Sequence, residues 1–127
     1  MKEKTFIFDQ HAENQDWLKR LDFYKEELLI VNERLEELTR KNNDSNFLKE
    51  VEHFQNQFVI QRNSIDELGH NIRSNENQLI QEINQNPVAV DHRKVETHEA
   101  EAEFMGYFEK NFANLRAEFN QFASKWM

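Results

Sequence analysis

Residues 14–38, NQDWLKRLDFYKEELLIVNERLEEL, decide the fold. Trp17, Leu21, Leu28, Leu35 and Leu38 belong to a row of positions spaced alternately three and four residues apart. This spacing lines one face of a long α-helix with apolar side chains, and a row sustained over several heptads is typical of helices packed side by side. The stretch therefore predicts one helix of a bundle, and we call such a row a seam.

Two further seams follow along the chain. They run from Val51 to Leu79 and from His98 to Trp126 with the same alternation of three and four residues. Short connections make sequential helices antiparallel neighbours. The sequence therefore predicts an all-α, antiparallel three-helix bundle with coiled-coil-like packing.

Polar turn residues set the helix boundaries. Residues 42–45 (NNDS) and the pair Asn86-Pro87 disfavour a helix interior, and either Asp44 or Ser45 can cap the helix that follows. Asp9 is the first capping residue along the chain, which leaves 1–8 as an N-terminal arm. We predict helices over about 9–41, 45–85 and 89–126, which form one domain over 1–127.

Composition excludes several classes of function. The chain has 24 acidic and 16 basic residues and a formal charge of -8, which disfavours nucleic-acid and anionic-membrane partners. It has no cysteine, which excludes disulfides and thiolate metal sites and favours a cytoplasmic location. The first residues do not resemble a secretion signal, and no stretch is apolar enough to span a bilayer. No nucleotide-binding or catalytic motif is present, which favours a non-catalytic protein.

The seams become polar at one end of the predicted bundle. Folding the chain at its two turns brings six polar residues to that end: His11, Asn14, Asn75, Glu76, His98 and Glu101. They could form a hydrated end, or a hydrogen-bonded layer that sets the helix register. The alternative is a site for a divalent metal, zinc or iron, with four ligands: His11, Glu76, His98 and Glu101.

Six apolar residues fall outside the seams: Phe23, Leu29, Ile30, Val59, Ile60 and Tyr107. A three-helix core uses more than two heptad positions, so the favoured interpretation is a wide core stripe. The alternative is a self-association surface that includes Phe23, Ile30, Val59 and Ile60, because contiguous exposed apolar surface marks interfaces.

Isolated polar residues have simpler explanations. His53, His70 and His92 fall at outward or loop positions and are expected on the surface. Gln61 interrupts the second seam, and its amide is expected to pair with a neighbouring side chain or water.

Three segments carry a resemblance: 51–58 (VEHFQNQF), 86–93 (NPVAVDHR) and 125–127 (KWM). Together they resemble a family of short uncharacterised bacterial helical proteins. The resemblance implies a helical cytosolic protein and no particular activity.

The functional hypothesis is a non-catalytic interaction or structural protein that acts through helix surfaces, with a protein partner or its own copies. The alternative hypothesis is a metal-binding bundle.

Overall fold

A computed structural model describes the backbone of residues 2–85 and 92–127, and the side chains of 8–82, 84 and 97–127. Three helices make up this part of the chain: α1 (Lys2–Lys41), α2 (Ser45–Gln85) and α3 (His92–Trp126). Each helix packs against the other two, and all three contribute to one hydrophobic core. The predicted all-α three-helix bundle is confirmed.

Side-chain contacts establish the helix directions. Asn14 near the start of α1 bonds to Glu76 near the end of α2, so α1 and α2 are antiparallel. Asn75 near the end of α2 bonds to Glu101 near the start of α3, which makes that pair antiparallel as well. As a result α1 and α3 run parallel, and the starts of both helices lie beside the end of α2.

The turn between α1 and α2 is built by polar side chains, as predicted. Asp44 Oδ1 accepts hydrogen bonds from the backbone N–H groups of Asn46 (2.8 Å) and Phe47 (3.2 Å), which caps α2. Asn42 Nδ2 donates to the carbonyl oxygens of Leu38 (3.1 Å) and Trp126 (3.2 Å). One asparagine therefore satisfies carbonyl groups at the ends of both α1 and α3.

The predicted boundaries differ from the structure at the N-terminus. Helix α1 begins at Lys2, so the prediction of an arm over 1–8 with a cap at Asp9 is wrong for residues 2–9. No glycine or proline precedes Asp9, and the early lysine and glutamate residues are good helix formers, so the helix extends past the potential cap. The predicted start of α3 at 89 and the turn at Asn86-Pro87 lie outside the described residues.

The predicted seams form the core. Every seam residue is buried or half-buried, including the polar residues Asn14, Gln61, His98 and Glu101. The interior is rich in aromatic rings: Phe54 packs against Phe58 and Phe119 with ring centroids 6.1 and 5.5 Å apart. Phe47, which is completely buried against Phe122, also belongs to the α2 seam. The sequence analysis missed it because the predicted seam began at Val51, four residues further along the chain.

Candidate functional site

Two regions could support a function, and the first is a polar end of the bundle. There α1 and α3 begin and α2 ends, and the buried side chains include Gln10, Asn14, Glu76, His98 and Glu101. Burying polar groups costs free energy unless they are hydrogen-bonded, so the bonds among these residues determine what this end of the bundle can do.

Glu76 joins α2 to α1. Its Oε1 is hydrogen-bonded to His11 Nδ1, and its Oε2 accepts a 2.6 Å bond from Asn14 Nδ2. Both carboxylate oxygens are therefore satisfied although the Glu76 side chain is only 6% exposed. His11, in contrast, is half-exposed, so this pair lies at the edge of the bundle.

The first turns of α3 carry His98 and Glu101, and each is held by a different neighbour. His98 Nε2 bonds to Glu13 Oε2 at 2.6 Å, while the imidazole stacks on Trp17 with ring centroids 4.8 Å apart. Glu101 Oε1 accepts a hydrogen bond from Asn75 Nδ2. The two residues therefore fix the start of α3 against α1 and α2 separately.

Two buried oxygen atoms at this end have no hydrogen-bond partner among the described residues: Asn14 Oδ1 and Glu101 Oε2. Burial raises the pKa of Glu101 to about 7, and the hydrogen bond from Asn75 lowers it only in part. A carboxyl group with this pKa is about half protonated at neutral pH. The protonated form supplies a donor at a position where the ionised form leaves a buried charge.

The four predicted metal ligands occupy this end but do not converge on one point. His11 and Glu76 are bonded to each other, whereas His98 and Glu101 are bonded to Glu13 and Asn75. Across the described ranges, no three His, Cys, Asp or Glu side chains form a group that could hold a metal ion. Glu13 was not among the predicted site residues. The parallel register of α1 and α3 places it level with His98, to which it is bonded.

The remaining histidines with described side chains lie on the surface, as predicted. His53 and His70 are exposed, and His53 Nε2 lies 3.5 Å from Glu118 Oε2. The His92 side chain is outside the described part of the chain.

The second region is a belt of apolar side chains around the middle of the bundle. All six off-seam residues are exposed, from 51% for Ile60 to 65% for Tyr107, and Phe104 joins them at 60%. The favoured prediction that the off-seam residues widen the core is therefore wrong. The seam positions, many of them occupied by large aromatic side chains, supply the buried core, and the neighbouring positions stay outside it. We call these residues the apolar belt: Phe23, Leu29, Ile30, Val59, Ile60, Phe104 and Tyr107.

Two grooves run beside members of this belt. The α2/α3 groove, of about 360 Å³, is lined by Ile60, Phe104 and Tyr107 together with Gln61. A second groove of about 340 Å³ lies between α1 and α3 and contains Phe23 and Ile30. The sequence analysis named these apolar residues except Phe104, but it gave no sign of the grooves, because a groove requires the positions of two helices.

None of the described helices combines the length and apolar character needed to cross a membrane. No protein-family model, no curated protein and no solved structure matches the chain significantly. The resemblance to short bacterial helical proteins stays a prediction. Any functional assignment therefore rests on the polar end and the apolar belt of this chain.

Proposed function

We propose that this protein is a non-catalytic interaction protein that binds protein chains, including its own copies, through the apolar belt. The observation that carries the proposal is the exposure of seven large apolar side chains, each more than half exposed, in the middle of a bundle whose seams already form a buried core. Some belt residues lie together, since Ile60, Phe104 and Tyr107 line one groove and Phe23 and Ile30 line the other. Exposed apolar surface grouped in this way marks interaction sites, because its burial in a complex is favourable.

Charge and composition support a protein partner in the cytoplasm. The formal charge of -8 opposes binding to phosphate backbones and anionic lipids, so nucleic acids and membranes are not proposed as partners. The chain has no cysteine that would require an oxidising compartment. The long seams further favour coiled-coil-like packing between the helices, a feature that extended interaction proteins use.

Site-specific photo-crosslinking in cells tests the proposal. A photoreactive phenylalanine analogue replaces Phe23 or Tyr107 in the apolar belt, and replaces exposed Asn114 or Gln121 as controls. We expect covalent adducts to another protein chain at the belt positions and few at the control positions. Equal or absent adduct formation at all four positions would contradict the proposal.

A second candidate function is metal binding at the polar end. The observation that favours it is the pair of unpartnered buried oxygens, Asn14 Oδ1 and Glu101 Oε2, close to two histidines and a second buried glutamate. Carboxylate and imidazole groups suit zinc or iron. Binding would require His98 and Glu101 to exchange their present partners for the ion.

Elemental analysis of protein purified without a polyhistidine tag tests this candidate. Near-stoichiometric zinc or iron that EDTA removes would support it, provided that the metal is lost in His98→Ala and kept in His53→Ala. Metal-free protein whose melting temperature does not rise on addition of zinc or iron would eliminate it.

A further inference from the structure

One flank of α1 carries a row of charged residues whose sign alternates. We call it the charge row, and its members follow one another at intervals of seven residues: Glu13, Arg20, Glu27 and Arg34. Residues seven apart lie along the same side of a helix, so the row runs parallel to the α1 seam. The row faces α3, because Glu13 bonds to His98 at 2.6 Å and Arg34 lines the α1/α3 groove.

Two charged residues of α3 pair with the middle of this row. Arg20 Nη1 donates to Glu109 Oε1 at 3.1 Å, and Tyr24 donates to the other oxygen of Glu109 at 2.6 Å. Arg116 donates to both carboxylate oxygens of Glu27, at 2.8 and 2.6 Å. The positions seven residues before Glu109 and seven residues after Arg116 are both alanine. This flank of α3 therefore presents one negative and one positive charge, seven residues apart.

The apolar seams alone do not select the position of α3 along α1. A seam repeats every seven residues, so moving α3 by seven residues, about 10.5 Å along its axis, again brings apolar rows together. Six residues separate Gln85 at the end of α2 from His92 at the start of α3. Six extended residues span up to about 20 Å, so the length of this connection permits such a displacement.

The charge row distinguishes between these positions. If α3 moved by seven residues toward the end of α1, Glu109 would face Glu27 and Arg116 would face Arg34. If it moved the other way, the same two residues of α3 would face charges of their own sign one heptad earlier in the row. Either displacement exchanges two attractive pairs for two repulsive pairs, which is unfavourable.

We propose that the alternating charges of this row determine the register of α3 against α1. The seams supply the favourable burial, and the charges select one of the positions that the seams permit. A single exposed ion pair contributes little to stability. Selection depends instead on the difference between matched and mismatched pairs, as it does for the charged positions that flank the seam of a coiled coil.

The contact between α2 and α3 has no comparable pattern. The α2/α3 groove is lined by uncharged polar residues that both donate and accept hydrogen bonds: Gln61, Ser64, Asn71 and Asn111. Such groups pair with many partners and distinguish poorly between registers. The information that positions α3 therefore lies mainly in its contact with α1.

A variant with the charges moved by one heptad tests the proposal. Arg20→Glu/Glu27→Arg/Arg34→Glu reverses three members of the charge row. In the native register these changes set like charges against Glu109 and Arg116. In the register displaced toward the end of α1 they set opposite charges against the same two residues.

Spin labels on engineered cysteines report the register, since the chain has no cysteine of its own. Gln15 and Asn114 are exposed and uncharged, and their positions lie about 18 Å apart along the bundle axis. The displacement would lengthen this axial separation to about 28 Å. Pulsed electron paramagnetic resonance measures the distance between the two labels.

We expect one distance with the native charge row. The variant with moved charges should show a second component, longer by about 8 to 10 Å and holding at least about a fifth of the population. Adding Glu109→Arg and Arg116→Glu restores opposite charges in the native register and should abolish this component. Three exposed positions of α1 outside the row supply a control with the same net charge, Lys19→Glu/Glu33→Lys/Arg40→Glu, which should keep the single distance.

Three outcomes would overturn this inference. An unchanged distance in the variant with moved charges would assign the register to other contacts, such as the bond between Asn75 and Glu101. A longer component of equal size in the control would attribute the displacement to net charge alone. If the variant with moved charges loses its helical circular dichroism, the compensated variant decides. Recovery of both helical content and the native distance supports the proposal, and continued loss contradicts it.

Discussion

At the scale of single residues, Glu101 gives the polar end a defined pH dependence. Its pKa is about 7 in the folded protein against an ordinary value of 4.5. Below pH 4.5 the carboxyl group is protonated in both folded and unfolded chains and imposes no difference. Between these two values the unfolded chain releases the proton first, so the free energy of unfolding falls as pH rises and the loss is complete above pH 7.

We expect Glu101→Gln to be more stable than the wild type at pH 8 by up to about 3 kcal/mol, with the difference vanishing near pH 4. Glutamine keeps an acceptor for Asn75 and cannot ionise, so it removes the cost of the buried charge. Urea unfolding of both proteins across this pH range measures the difference, in which contributions from the nearby Glu76, His98 and Glu13 cancel to first order. Glu103→Gln, an exposed position on the same helix, serves as the control. A constant difference across the range would show that Glu101 ionises normally.

At the scale of helices, the first turn of α2 holds the end of α3. Phe47 is completely buried and stacks on Phe122, with ring centroids 5.5 Å apart, and also contacts the ring of Trp126. We expect Phe47→Ala to lower the free energy of unfolding by about 3 to 5 kcal/mol, since it leaves a cavity among rigid aromatic rings. The neighbouring Leu48 is 48% exposed, so Leu48→Ala should cost about 1 kcal/mol or less. Chemical denaturation measures both, and similar losses would contradict the assigned burial.

The parallel helices α1 and α3 are joined by polar contacts near mid-bundle. The Arg116 guanidinium bonds to both carboxylate oxygens of Glu27 and lies over the Phe112 ring at 5.2 Å. Lysine cannot reproduce this paired geometry, so Arg116→Lys should reduce stability by about 1 kcal/mol. Arg34→Lys, an exposed position in the same groove, should be within about 0.5 kcal/mol of the wild type. Thermal unfolding compares the two variants. An equal effect would show that the bond between Arg116 and Glu27 does not stabilise the packing of α1 against α3.

At the scale of the whole molecule, net charge opposes the proposed association between copies of the chain. Each copy carries a formal charge of -8, whereas the residues of the apolar belt carry no charge. Salt screens repulsion between the two copies, so the dissociation constant should fall severalfold when the ionic strength rises from about 0.02 M to about 0.15 M. Sedimentation at both salt concentrations measures it. A dissociation constant that rises with salt would show that ion pairs hold the copies together, contrary to association through the apolar belt.

The number of helices, their seams and the cap of α2 are determined by the sequence itself. A seam needs only the repeat of apolar residues along one helix. The cap of α2 is equally local, because Asp44 accepts hydrogen bonds from N–H groups only two and three residues further along the chain. The start of α1 was predicted incorrectly because a potential cap at Asp9 does not end a helix when the preceding residues also favour helix.

Only the tertiary structure determined which side chains form hydrogen bonds at the polar end and whether the off-seam residues are buried or exposed. His98 bonds to Glu13, and Glu101 to Asn75, because of the register between the helices. The spacing of apolar residues along one helix does not determine that register. Ile60 and Tyr107 stay exposed whereas the seam phenylalanines are buried, and which side chains the core accommodates depends on all three helices together. Local spacing determines which face of each helix turns inward, and packing determines which apolar side chains remain exposed.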